Sequence, residues 1–327
     1  MMTVGEMSST TLENCIGYTS EKNHELTMCF NFHHLKVDYK NGQKWELMPP
    51  DHGALKRLFQ TWQEGMQEHG GWNALFWCNH DQPRAVSRFG SDTTYWRESA
   101  EMLATAIHCM RGTPYIYQGE ELGLFEVADI PWDRLEDPTA FHTAQATMDK
   151  GRDGCRVPLP WTASDEPALA DFSRPAPADD GTGENHVPLC AAGQFGTGAS
   201  FGFSPAVRAD GVTPAADPHL PQPLWFKDYA VDVEQADPDS MYTLYHAALA
   251  IRQESLTATR DTTAEQVDMG ADVVAYRRAA VEGRTFTSVT NFGTAPVSLP
   301  EGSVVLTSGP LTPDGQLPTD TSAWVIK

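Results

Sequence analysis

The sequence predicts an α/β fold, a βα barrel or a doubly wound sheet, that gives way to a small antiparallel β-domain at the C-terminal end. Two observations predict it. Through residues 1–121 short apolar runs alternate with helical patterns, and the runs close on polar residues. The tail, in contrast, alternates strand-like runs with turns marked by Gly and Pro.

The elements follow in order. Met1–Val4 is a β-prone run ending on Gly5-Glu6, and the polar turn Ser8-Ser9-Thr10 caps a helix expected over Thr11–Tyr18. Leu26–Phe32 is a second apolar run, followed by the polar and aromatic stretch His33–Tyr39. Asp51 caps a helical pattern over Ala54–Gln67, with Leu55, Leu58, Phe59 and Trp62 on one face. Ala74–Cys78 is a third strand-like run that leads into Asn79-His80-Asp81. Tyr95–Met110 carries Leu103, Ala106, Ile107 and Met110 at helical spacing, and Tyr115-Ile116-Tyr117 is a fourth short strand closed by Gln118-Gly119-Glu120. From about Asp129 to Trp225 Pro, Gly, Asp and Ala dominate. Pro175–Gly183 reads as loop, and so long an excursion is usually a lid or an insert. A helix returns at Asp239–Ser255 behind the cap Asp237-Pro238-Asp239. Strands are then expected at Val273–Arg278, Thr285–Asn291, Val304–Thr307 and Ala323–Ile326, in a β-domain beginning near Thr262.

Composition narrows the partners. At 327 residues with 40% hydrophobic and 20% charged positions, the chain has the profile of a folded globular protein with a sizeable core. A formal net charge of −21 disfavours nucleic acid and anionic membrane, both of which would repel it, and suits a small neutral ligand. No apolar run reaches the ~20 residues of a membrane span, and no signal-like segment is expected. The six cysteines (Cys15, Cys29, Cys78, Cys109, Cys155 and Cys190) form no CxxC pair and read as buried free thiols of a reducing, cytoplasmic compartment.

The carboxylates at strand ends carry the candidate chemistry. Cleaving a glycosidic bond takes a protonated carboxyl that donates to the leaving oxygen and a carboxylate that faces the oxocarbenium-like centre. Glu6 and Asp81 end two of the runs, and the apolar approach Thr3-Val4-Gly5 suits Glu6 to acid work. On spacing alone the plainer reading is the stronger, since most carboxylates at strand ends are solvated or bind backbone. His33-His34 lack a carboxylate at metal-ligand spacing, and His80-Asp81 lack a nucleophile-elbow serine. Met102 and Met110, and the aromatics Trp72, Phe76 and Trp77, read as core.

Four segments then resemble the family-13 glycoside hydrolases: Thr3-Val4-Gly5-Glu6-Met7, Asn79-His80-Asp81-Gln82-Pro83-Arg84, Ser87-Arg88-Phe89-Gly90, and the run from Gly112 to Glu121. Within that family they are similar to the oligo-1,6-glucosidase and maltase group. Residues 2–123 resemble trehalose-6-phosphate hydrolases, through Met28–Tyr39 above all. Residues 124–327 resemble actinobacterial-type α-glucosidases, through Gly151–Trp161 and Asp237–Ser240. The resemblance implies a (β/α)8 barrel with a C-terminal β-domain and hydrolysis of α-glucosides such as maltose, isomaltose or trehalose-6-phosphate with retention. It implies Glu6 as general acid/base, Asp81 as transition-state stabiliser, and His80, Arg84 and Arg152 as substrate contacts, with no metal and no cofactor. Lys36, Lys40 and Lys44 are candidates for a substrate phosphate.

The resemblance also places residue 1 at the fifth barrel strand. The nucleophilic Asp of a GFRxD-like motif on the fourth strand is then outside the chain, and the start reads as an internal methionine or a broken gene. The domains expected are a partial barrel over 1–261, with a loop-rich insert at about 129–225, and a β-domain over 262–327. Two readings follow: a truncated α-glucosidase inactive by itself, or a sugar-binding partner of a separate N-terminal half-barrel.

Overall fold

In the computed structural model, β1 (Val4–Met7), β2 (Met28–Asn31), β3 (Asn73–Leu75) and β4 (Thr113–Pro114) form one parallel sheet in the order β1-β2-β3-β4. The residues described are 1–43, 48–128, 130–141, 151–164, 168–169, 195–197, 200–204, 217–256 and 262–327. Lys44, Cys190 and Pro175–Gly183 lie outside them. The chain divides into two compact units, one of residues 1–77, 98–116 and 244–327, the other of residues 78–97 and 117–243.

The first unit holds the parallel sheet. Its second strand reads Met-Cys-Phe-Asn with little polar alternation, as expected of a strand covered on both faces. Helix α1 (Leu12–Thr19) starts where Thr11 accepts a hydrogen bond from the Asn14 amide, and α2 (His52–Glu68) starts where Asp51 accepts from Ala54 at 2.8 Å. Both caps satisfy amides that a helix start leaves orphaned. The apolar faces of these helices close over β2 in a core of Cys15, Cys29, Trp62 and Met66, with Met7, Leu12, Ile16 and Leu26 around it. Each large side chain buried there contributes roughly 1.5–3 kcal/mol. Phe76, Trp77, Met102 and Met110 are core as expected, and the Trp77 indole donates to the Leu103 carbonyl of α4 (Trp96–Ala106) at 2.7 Å.

Two strands sit elsewhere than expected. The first is Val4–Met7, so Glu6 lies within a strand instead of after one. The fourth is Thr113–Pro114, before the aromatic run Tyr115-Ile116-Tyr117. Pro114 has no N–H to give, which suits an edge strand; the ladder is carried on by the Tyr115 amide, which donates to the Leu75 carbonyl at 2.7 Å. Just before β4, Gly112 has φ +150°, and a Cβ there would stand 2.7 Å from the Asn73 carbonyl oxygen and 2.9 Å from Leu75 Cγ. Gly112→Ala is therefore expected to cost about 1–3 kcal/mol, read as a lower urea midpoint; an unchanged midpoint would mean that β3 and β4 part freely.

A five-stranded antiparallel sheet of the same unit is formed by β7 (Glu265–Gln266), β8 (Val273–Ala279), β9 (Thr285–Asn291), β10 (Ser303–Thr307) and β11 (Thr321–Ile326), in the order β10-β11-β9-β8-β7. Its core is Val273, Ala275, Val289, Leu317 and Ala323. The sheet is tied to α4: Trp324 Nε1 donates to the Thr105 carbonyl at 3.2 Å and Ser322 Oγ to the Met102 carbonyl at 3.1 Å.

The second unit is built mostly of loops and short helical turns, with α3 (Ala85–Phe89), α5 (Val231–Ala236) and the hairpin of β5 (Ala168–Leu169) and β6 (Gly196–Thr197). Aromatics organise it, with Phe125 stacked on Trp225 at 4.2 Å and Trp96 edge-on to Tyr229 at 4.8 Å. Helix α6 (Met241–Leu256) belongs to the first unit from residue 244 onward. Cys15, Cys29, Cys78, Cys109 and Cys155 are buried free thiols. Among the described residues no helix is long and apolar enough to cross a membrane.

Candidate active site

The loop after β3 brings His80 and Asp81 to a pair of arginines within the second unit. The Asp81 amide donates to Asn79 Oδ1 at 2.8 Å, an Asx turn that sets the carboxylate's direction. Asp81 Oδ1 accepts from Arg152 Nη1 at 3.1 Å and from Arg156 Nη2 at 2.5 Å. Arg156 Nε also donates to the His80 carbonyl at 2.7 Å, so one guanidinium grips the loop at two points. Both arginine side chains and Asp81 are about one-third exposed. The His80 ring is largely exposed, with Nε2 at 3.7 Å from Asp81 Oδ2.

Behind Arg152 stands Asp137, whose side chain is fully buried. The contact is bidentate, from Arg152 Nε to Oδ2 at 2.9 Å and from Nη2 to Oδ1 at 2.8 Å. The Arg152 amide and the amide and hydroxyl of Thr139 also donate to Asp137. Burial alone would raise the Asp137 carboxyl, but these donors outweigh it and hold the group well below the usual carboxylate range. Hydrogen bonding to Asp137 in turn raises Arg152. Asp153 accepts from the Asp137 amide and so fixes the backbone beneath.

Arg84 enters from a third side and is 2% exposed. Its guanidinium donates to the Gln118 carbonyl at 2.6 Å and the Cys155 carbonyl at 3.2 Å, and lies 4.8 Å over the Tyr117 ring. Its amide donates to Glu126 at 2.8 Å. Gly154 is required beside it, because a Cβ would stand 2.3 Å from Glu126 Oε1 and 2.5 Å from the Val127 carbonyl. Glu120 accepts from the Cys78 thiol at 2.8 Å. Burial pushes both Glu120 and Glu126 up to about 7.

His80, Asp81, Arg84 and Arg152 thus share one unit, with Asp81 and Arg152 in direct contact. Glu6 belongs to the first unit. It pairs with Phe30 across β1 and β2 and is exposed, so Thr3-Val4-Gly5 does not bury it. His33 and His34 each bond a main-chain carbonyl, Thr10 at 2.7 Å and Phe76 at 2.8 Å. Lys36 Nζ donates to the Ser8 carbonyl at 2.9 Å. No group of three or more His, Cys, Asp or Glu able to hold a metal occurs among the described residues. Arg156 and Asp137 escaped the sequence reading. Arg156 repeats Arg152 four positions on and could have been suspected from that spacing. Asp137 offered no comparable signal.

A family model described as alpha amylase, catalytic domain, matches residues 1–178. The chain is 52% identical over 178 residues to a trehalose-6-phosphate hydrolase of Bacillus subtilis (strain 168), a match covering 50% of this chain and 32% of that one. It is 36% identical over 291 residues to a trehalose-6-phosphate hydrolase of Escherichia coli (strain K12), covering 89% and 47% respectively. An oligo-1,6-glucosidase of Halalkalibacterium halodurans is 43% identical over 185 residues, covering 52% and 33%. Among solved structures, the trehalose-6-phosphate hydrolase TreA of Bacillus licheniformis superposes with a TM-score of 0.74 at 31% identity, covering 99% of this chain and 56% of that one. The parallel sheet, with Asp81 on the loop after β3, and the five-stranded antiparallel sheet fit the fold of these glycoside-hydrolase structures. This chain belongs to the α-amylase family, family 13 of the glycoside hydrolases. It spans about half the length of these relatives, or less.

Proposed function

We propose that the chain supplies the second half of a (β/α)8 barrel, strands five to eight being β1 to β4, to an α-glucosidase acting on small α-glucosides of the maltose, isomaltose or trehalose-6-phosphate type. Residues 1–261 form the partial barrel, with the loop-rich insert at about 129–225, and 262–327 the β-domain. The observation that carries this reading is the Asp81 carboxylate fixed between Arg152 and Arg156 on the loop after β3. In the proposed reaction Glu6 protonates the leaving glycosidic oxygen and later deprotonates the attacking water. Asp81 faces the oxocarbenium-like centre, aimed by its two guanidiniums. The exposed His80 ring bonds a sugar hydroxyl. Arg152 and Arg84 belong to the same site, Arg84 acting through the carbonyls it holds. No cofactor enters this reaction.

Retention also requires a nucleophilic carboxylate, and none of the residues assigned here fills that role. The chain by itself is therefore expected to leave a chromogenic α-glucoside unhydrolysed, with Glu6→Gln as the control. Hydrolysis by the chain that Glu6→Gln abolishes would overturn the proposed inactivity and keep Glu6 as the acid. Hydrolysis indifferent to Glu6→Gln would overturn the assignment of Glu6.

A second reading, a sugar-binding partner that completes a barrel with an N-terminal half, is favoured by the two outer strands. β1 and β4 each have a neighbour on one side only among the described residues. Mixing with a half that carries the nucleophile would then restore hydrolysis; failure of a folded, monodisperse mixture to do so would count against it.

A further inference from the structure

Within the first unit, a cavity of about 20 Å³ lies between β2, β3 and helix α2. Its wall contains Asn31 of β2, Asn73 of β3, and Leu58 and Gln63 of α2, and no Asp, Glu, Lys or Arg is among its lining residues. Asn73 is 2% exposed and Asn31 8%. Cys29 pairs with Asn73 in the ladder, so Asn31, two positions further on, sits diagonally across from Asn73 on the same face of the sheet. α2 covers that face, and Asn73 Nδ2 donates to its Trp62 carbonyl at 3.3 Å.

The bonds already made by the two asparagines leave complementary atoms over. A carbonyl can only accept, so the Asn73 NH2 must face Trp62, and Asn73 Oδ1 has no hydrogen-bond partner among the described residues. Asn31 is turned the other way. Its Oδ1 accepts from the His33 amide at 3.3 Å, and its NH2 donates to no group among the described residues. Gln63 is occupied by the Arg111 main chain, accepting from the amide at 2.8 Å and donating to the carbonyl at 3.1 Å. A guest must therefore accept from one asparagine, donate to the other and carry no charge. A simple anion cannot donate and an ammonium ion cannot accept. Water does both, and one water needs ~10–15 Å³ and roughly two to four polar partners. A buried amide oxygen with no bond at all is rare in native interiors.

We propose that this cavity is the binding site of one internal water molecule, which accepts from the Asn31 NH2 and donates to Asn73 Oδ1. The two inner strands of the parallel sheet are thereby joined through their side chains, under α2, as well as through the ladder.

Water–protein cross-relaxation NMR of the purified, isotope-labelled chain tests it. The side-chain NH2 protons of Asn31 and Asn73 are expected to show cross-peaks to water, with the sign of a long-lived bound molecule and not of proton exchange. Relaxation dispersion of the water oxygen is expected to lose the contribution of a single long-lived molecule in two variants. Asn73→Leu keeps the volume and removes the acceptor. Because it also removes the bond to the Trp62 carbonyl, Leu58→Phe, which adds bulk at the cavity wall and leaves both asparagines in place, serves as the second variant. In Leu58→Phe the water cross-peaks at Asn31 and Asn73 are expected to vanish. The proposal is overturned if the parent shows no water cross-peak at either asparagine, a result that depends on no variant folding. It is equally overturned if folded Asn73→Leu and Leu58→Phe keep the full water contribution, or if ammonium chloride suppresses the cross-peaks where sodium chloride at matched ionic strength does not, since the guest would then be a cation.

Discussion

Replacing Asp137 with alanine is expected to cost about 3 kcal/mol of stability, at the lower end of what breaking a buried ion pair costs. The carboxylate is fully enclosed while its partner Arg152 is 31% exposed, so water softens the loss on the arginine side only. The substitution strands two backbone amides, those of Arg152 and Thr139, and releases the guanidinium that Asp137 holds bidentately. Guanidinium unfolding at pH 7 reads the loss. Asp137→Asn, which keeps the volume and removes the charge, is expected to fall between the parent and the alanine variant. Acid provides an independent readout. Because the folded carboxyl lies far below its unfolded range, its contribution is fully present above about pH 4 and fades only as the pH falls toward the folded value. The parent is therefore expected to lose stability between about pH 4 and 2 more steeply than Asp137→Ala. Parallel acid profiles for the two would mean that Asp137 and Arg152 contribute no net ion pair.

The second large effect has the opposite sign with pH. Glu120 and Glu126 are pushed up to about 7 by burial, from about 4.5 in the unfolded chain. Between those values the folded protein holds protons that the unfolded chain has released, so stability falls as pH rises from about 4.5 to 7 and levels off above. Each group contributes on the order of 3 kcal/mol to that fall, since one pKa unit is worth about 1.4 kcal/mol. Glu120→Gln removes an ionisable group while keeping an oxygen for the Cys78 thiol, and is expected to flatten the slope and raise stability at pH 8. Denaturation midpoints at pH 4.5, 6 and 8 measure it. An unaltered slope would place the carboxyl among ordinary, ionised glutamates.

How much of this the sequence disclosed depends on how local each cause is. The cap Asp51 and the strand Thr285–Asn291 were readable because capping and alternation operate over a few residues, whereas the cap of α1 is Thr11, one residue beyond the turn Ser8-Ser9-Thr10 expected to supply it. The fourth strand was misplaced because Tyr115-Ile116-Tyr117 has the better β-propensity, whereas pairing with β3 uses Thr113 and Pro114. The site divided along the same line. Asp81 and Arg152 stood in recognisable segments, but the meaning of Arg152 depends on Asp137, 15 positions away in a stretch without periodicity. A bidentate contact across such a loop has no trace in propensity or spacing. Arg84 was legible as a residue but not as a structural one, since only folding brings the Gln118 and Cys155 carbonyls to it.

The buried thiols make the protein a chemical reporter of its own opening. Alkylation needs both access and a thiolate, and Cys78, Cys109 and Cys155 are denied both, being enclosed and pushed up chiefly by burial. Cys109 belongs to the unit that carries the parallel and five-stranded sheets, and Cys78 and Cys155 to the unit that carries Asp81. Peptide-resolved labelling during a denaturant pulse therefore times the loosening of each unit separately, with no engineered probe, and shows whether a perturbation at Asp137 spreads beyond its own surroundings.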